Sequence, residues 1–149
     1  MQHRILCTTA LMLAFVCLLM PVVEAAPAFG VKDVEGPTAF AFDGFATVLV
    51  GGTPTQVPAA AVGRFVADGA GHLNDGARTL VVGGTTFRET FTCTYTVEPN
   101  GTGKAECDVV GGPNAKESFD FVIVEKKTEA FFTATTPGVT IRGATKRQQ

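Results

Sequence analysis

One carboxylate stands out among the side chains able to do chemistry. Alternation through Phe87-Arg88-Glu89-Thr90-Phe91-Thr92-Cys93-Thr94-Tyr95 sets Phe87, Glu89, Phe91, Cys93 and Tyr95 on one face of a strand, with Arg88 and the threonines on the other. A carboxyl group held among aromatic rings can serve as a general acid or base. It can equally hold the one polar group of an otherwise apolar ligand, with the Tyr95 hydroxyl nearby. On the binding reading, Glu89 and Tyr95 are polar contacts and Phe91, Phe119, Phe121 and Phe132 are walls. The competing role is structural: Glu89 meets solvent or a basic side chain from a neighbouring strand. Glu89→Gln separates the two, leaving the melting temperature unchanged or raised for an uncompensated carboxylate and lowering it strongly for an ion-pair member.

Other chemistries can be screened by counting. Beyond residue 25 the chain holds a single histidine, His72, and a single serine, Ser118. A serine triad would need these two to meet, and a zinc site of the usual histidine and cysteine composition lacks ligands. His72 follows Asp68-Gly69-Ala70-Gly71, a turn sequence too short for a calcium loop, while Gly83-Gly84 lacks the lysine and helix of a phosphate-binding loop. Asn100-Gly101-Thr102 matches a glycosylation acceptor, but the turn itself explains these residues. No catalytic residue, metal or cofactor is assigned.

The N-terminal residues carry an address. Met1 to Arg4 is a short basic start, Ile5 to Met20 is apolar, Pro21 ends the run, and Val23-Glu24-Ala25-Ala26 finishes in small residues. This is the three-part pattern of a secretory signal peptide, cleaved after Ala25 to leave one domain from 26 to 149, with cleavage after Ala26 as the near alternative. An uncleaved anchor competes, because Ile5 to Val23 is 19 residues long. After signal removal no membrane span remains, and a secreted or periplasmic location is expected. Cys7 and Cys17 leave with the signal, so Cys93 and Cys107 are the pair expected to form a disulfide in an oxidising compartment.

Positioning these residues falls to strands. Beyond residue 26, Thr, Val, Phe and Gly predominate, and short alternating runs are divided by Asp-Gly, Asn-Gly, Pro-Gly and Gly-Gly steps. Strands are expected near Thr38 to Asp43, Phe45 to Val50, Ala60 to Ala67, His72 to Asn74, Thr79 to Val82, Thr85 to Val97, Thr102 to Val110, Ser118 to Val124, Glu129 to Ala134 and Val139 to Thr145. The alanine-rich stretch Pro58 to Val66 also admits a helix. Pro99-Asn100-Gly101 suits a three-residue hairpin loop, which pairs Glu98 with Thr102. That register sets Cys93 opposite Cys107, Tyr95 opposite Ala105, Phe91 opposite Val109 and Glu89 opposite Gly111. A turn centred on Pro137-Gly138 likewise sets Phe132 opposite Gly143, with Ala130, Ala134 and Ile141 inward. Alternation sends Phe119, Phe121 and Ile123 inward and leaves Asp120 outside. Large residues thus face small ones, as in a small barrel that fills its own taper. Successive hairpins predict an all-β, antiparallel up-and-down barrel of about eight to ten strands, with a two-sheet sandwich as the alternative.

Charge excludes one class of partner. Twelve basic against 14 acidic residues, a net charge of -2, give no field that would gather nucleic acid or anionic lipid. The order Val62-Gly63-Arg64-Phe65-Val66-Ala67-Asp68-Gly69-Ala70-Gly71, then Tyr95-Thr96-Val97 with Pro99-Asn100-Gly101-Thr102-Gly103, then Gly143 to Gln148, resembles a group of small exported bacterial proteins without an assigned activity. The resemblance implies a calycin-like, or allene-oxide-cyclase-like, β-barrel. It carries over no catalytic residue, because none of the cyclase family's can be matched to a position here. The functional expectation is an exported barrel that binds a small apolar molecule. The alternatives are a filled barrel contacting an envelope or extracellular partner, and an acid/base cyclase or isomerase using Glu89.

Overall fold

The computed structural model describes residues 28–124 and 127–149, so the proposed signal segment, with Ala25 and Ala26 at its cleavage point, lies outside the described residues. A 3₁₀ turn at Val31–Val34 precedes eight strands: β1 (Gly36–Val50), β2 (Thr53–Ala67), β3 (His72–Val82), β4 (Thr85–Val97), β5 (Thr102–Val110), β6 (Lys116–Val124), β7 (Glu129–Ala134) and β8 (Val139–Arg147). Each pairs antiparallel with its neighbour in sequence, and β1 pairs with β8 to close the barrel. Closure removes the sheet edges that an open sandwich would keep.

Two pairs of expected strands are continuous ones. β1 passes through Gly44, where the backbone of β8 lies so near that a Cβ would fall 2.1 Å from the Thr140 carbonyl oxygen. The glycine marks a close approach, not a strand end. β3 passes through Asp75 and Gly76 by a bulge, at which its register against β4 shifts and Asp75 takes a φ of 51°. The alanine-rich stretch is strand, and β2 begins well before it, crossing both Pro54 and Pro58. Those prolines are tolerated because β2 pairs with β3 only from Ala59 onward, and β1 pairs with β8 only as far as Ala46. The β1–β2 hairpin therefore extends beyond its neighbours' ladders, where Val48, Val50 and Val57 help wall the end of the barrel.

The expected registers are present, except that the β4–β5 ladder ends at Thr90 and Val110 and so does not include Glu89 and Gly111. Cys93 faces Cys107, Tyr95 faces Ala105 and Phe91 faces Val109. Phe132 faces Gly143. Counting alternate pairs from the bond that the Glu98 N–H donates to the Thr102 carbonyl puts the cysteines at a non-hydrogen-bonded pair, where strands approach most closely. Their Cα atoms are 4.0 Å apart and the disulfide is formed. Inside, rings lie over glycines. A Cβ at Gly103 would fall 2.2 Å from Phe121, one at Gly143 2.3 Å from Phe132, and one at Gly76 2.5 Å from Phe91. Phe40, Phe42, Phe65, Phe91, Phe119 and Phe132 then meet through stacked, tilted and edge-to-face pairs, with centroids 5.8 to 6.4 Å apart.

Candidate functional site

Among the described residues, the interior carries one buried charged cluster. Arg78 on β3 stands directly across the ladder from Glu89 on β4. Its Nε donates to Glu89 Oε2, while Nη1 and Nη2 reach across the lumen to Glu117 on β6 and donate to Oε2 and Oε1 at 2.7 and 2.8 Å. The guanidinium carbon lies 5.7 Å from the ring centre of Phe42 and 5.9 Å from that of Phe91. Burial works against the charge of Arg78, but the bonds to Glu117 and Glu89 and their charges more than offset it, holding its pKa above the ordinary value. Two carboxyl groups thus share one guanidinium. Glu89 Oε1 is left without a hydrogen-bond partner among the described residues, and it fills the space a side chain at Gly112 would need.

Two hollows meet at this cluster. The inner one, about 100 Å³, is walled by residues that include Phe91, Tyr95, Phe121 and Phe132, with Arg78 at one side. The outer one, about 390 Å³, is a cup at the end of the barrel where the β1–β2, β3–β4, β5–β6 and β7–β8 connections lie. Phe42, Phe119 and Glu117 line both, so they form the partition between them. Glu117 is the single ionisable side chain among the described residues that line the cup. A further hollow of about 530 Å³ lies on the outer surface over β5, β6 and β7, where its walls include the outward-facing Lys104, Asp120, Phe131 and Thr133.

The opposite end is closed. Val31 and Val34 of the 3₁₀ turn pack on the core, and the Tyr95 hydroxyl donates to the Val31 carbonyl at 2.9 Å. Asp33 fastens the turn by accepting from Lys127 at 2.8 Å and from the Gly30 N–H at 2.9 Å, and Arg147 donates to its carbonyl oxygen at 2.8 Å. Phe29 N–H donates to Pro99 O on the adjoining β4–β5 loop.

Of the residues singled out in the sequence, Phe91, Tyr95, Phe119, Phe121 and Phe132 surround the inner hollow, and Phe119 also reaches the cup. Glu89 borders neither hollow; Arg78 has taken its carboxylate. Tyr95 spends its hydroxyl on the plug instead of leaving it free for a ligand. His72 pairs with Asp68 in an exposed turn at 3.0 Å, and Ser118 accepts from Thr135, so the two lone residues of a serine scheme are not brought together. Sequence reasoning missed Arg78 and Glu117, although both left a signal. A two-residue Gly83-Gly84 loop, with φ of 55° and 87°, pairs Val82 with Thr85 and so sets Arg78 opposite Glu89. Alternation carried back from Phe119 turns Glu117 inward.

No family model, curated protein or solved structure matches this chain. The eight-stranded antiparallel barrel is consistent with a calycin-like fold.

Proposed function

We propose that this chain is an exported binding protein that holds one small, mostly apolar molecule at the open end of its barrel. The observation that carries the reading is the cup, whose volume of about 390 Å³ falls in the range of roughly 300–1,000 Å³ common for small-molecule sites. The inner hollow, about 100 Å³, is smaller than the ~150 Å³ of an apolar cavity that accepts benzene, and so serves at most the end of a ligand. Phe91, Phe121 and Phe132 are therefore assigned to the deep wall and Phe119 to first contact. Glu117 takes over the polar role first expected of Glu89.

The test is saturable binding of N-phenyl-1-naphthylamine, a neutral apolar fluorophore, to the oxidised protein. Wild type is expected to bind one equivalent, and Ala134→Phe, which fills the cup from β7, is expected to weaken binding by about tenfold or more. A folded wild type that gives no saturable signal sinks the reading.

A second reading draws on a different observation. From Gly44 to Gly63 the chain has no charged residue, and this hairpin exposes Phe45, Leu49 and Val62, Leu49 by 73%. An apolar surface of this kind suits contact with an envelope or extracellular partner. An acid/base enzyme using Glu89 has the least support, because that carboxylate is engaged by Arg78 and borders neither hollow.

A further inference from the structure

We infer that the occupant of the cup carries a hydrogen-bond-donating head, a hydroxyl or an ammonium, on its apolar body, and that carboxylate-headed amphiphiles are rejected. The inference rests on the binding reading above and adds the chemistry of the head group. Glu117 lies at the cup floor with its side chain 11% exposed, and each of its oxygens accepts one bond from Arg78. A carboxylate oxygen has two acceptor lobes, so each retains capacity for another donor. Arg78 does not offer itself in return. Its side chain is 4% exposed, three of its nitrogens are committed to carboxylates, and it lines the inner hollow and not the cup.

No lysine, arginine or histidine lines the cup among the described residues, so an incoming anion finds no counter-charge there. It finds instead a cluster in which Glu89 and Glu117 share a single guanidinium, with Glu89 Oε1 given no donor by the described residues. A second carboxylate beside Glu117 meets like charge in a partly desolvated setting, whereas a hydroxyl donates one bond and an ammonium adds attraction. Thr47, Thr85 and Asn114 supply only neutral polar groups around the same cup.

The experiment uses the oxidised protein, with octanol, octylamine and octanoate as competitors of bound N-phenyl-1-naphthylamine at neutral pH. The tails of octanol and octylamine match and that of octanoate is one methylene shorter, a difference of roughly fourfold, so a larger difference reports the head. Octanol is expected to compete at least about tenfold better than octanoate, and octylamine at least as well as octanol. Octanoate equal to or better than octanol overturns the inference while leaving a binding cup in place; failure of the fluorophore to bind removes the cup reading and this inference with it. Glu117→Gln, checked for folding by its melting curve, keeps an acceptor without the charge and is expected to bring octanoate close to octanol. A folded Glu117→Gln that retains the full preference also overturns it. The competition on wild type stands alone if that variant does not fold.

Discussion

Arg78 shows how a single side chain decides the meaning of others. Glu89 alone on an inward face reads as a ligand contact or a proton carrier; with Arg78 directly opposite, it is half of a buried pair. Removing one partner from such a pair strands the other in a low-dielectric interior, which costs about 3–5 kcal/mol. Arg78→Met is expected to lose stability on that scale in urea denaturation, because it strands two carboxyl groups. Replacing Arg78, Glu89 and Glu117 together by apolar residues of similar volume should recover most of the loss, since the charges and their desolvation cost go together. Glu89→Gln is expected to lower the melting temperature, as befits an ion-pair member. A loss from Arg78→Met no larger than that of an ordinary surface change, about 0.5 kcal/mol, would show that water reaches the cluster.

At the scale of elements, the β4–β5 hairpin is the most heavily specified part of the barrel. Its loop sets the register, the register sets the cysteines face to face, and the disulfide then closes a segment with a sequence separation of 14. Chain entropy for such a loop suggests up to about 3 kcal/mol, lowered here because Pro99-Asn100-Gly101 already biases the unfolded chain toward the hairpin. Thermal melts with and without dithiothreitol should differ accordingly, and coincident melts would deny the bridge. The β1–β2 hairpin behaves differently. Beyond Ala46 it leaves the β1–β8 ladder, and the edge of β1 there carries neither proline nor charge to discourage pairing.

Across the whole molecule, titration acts mostly on the closed end. Asp33 is held below the usual carboxylate range, chiefly by the bond from Lys127 and against the effect of burial, with help from the Gly30 N–H. Asp68 is lowered by the backbone N–H groups of His72 and Ala70. Tyr95 is raised, chiefly by burial. For the two aspartates the folded state binds fewer protons than the unfolded chain, so their contribution is present above about pH 4 and is lost as pH falls through the folded values. For Tyr95 the folded state binds more protons, so its contribution is full below about pH 10 and is lost as pH rises through the folded value. Hydrogen exchange of residues 29–35 should accelerate at both the acid and the alkaline end, because Asp33 and Tyr95 hold the same 3₁₀ turn. Protection of that segment unchanged below pH 4 would show that Asp33 does not fasten it.

The sequence by itself determined the strand character of the chain, the face that each residue of β4 and β5 presents, and the pairing of Cys93 with Cys107. These follow from period-two alternation and the reach of tight turns, both of which act within about a dozen residues. Local signals failed where a residue type has two structural uses. Gly44 and Gly76 look like strand breaks but permit a close approach and a bulge, and Pro54 and Pro58 look incompatible with a strand until they are seen to lie before the start of the β2–β3 ladder. Closure of β1 on β8 was expected from the need to cover edges, yet only the tertiary structure decided it with eight strands. It also decided the site. Arg78 lies within reach of the hairpin logic that paired the cysteines, but Glu117 is brought to it across the lumen from β6, a contact set by barrel diameter and side-chain length. That long-range contact leaves Glu117 at the floor of the cup, while Glu89 is held by Arg78 across the β3–β4 ladder.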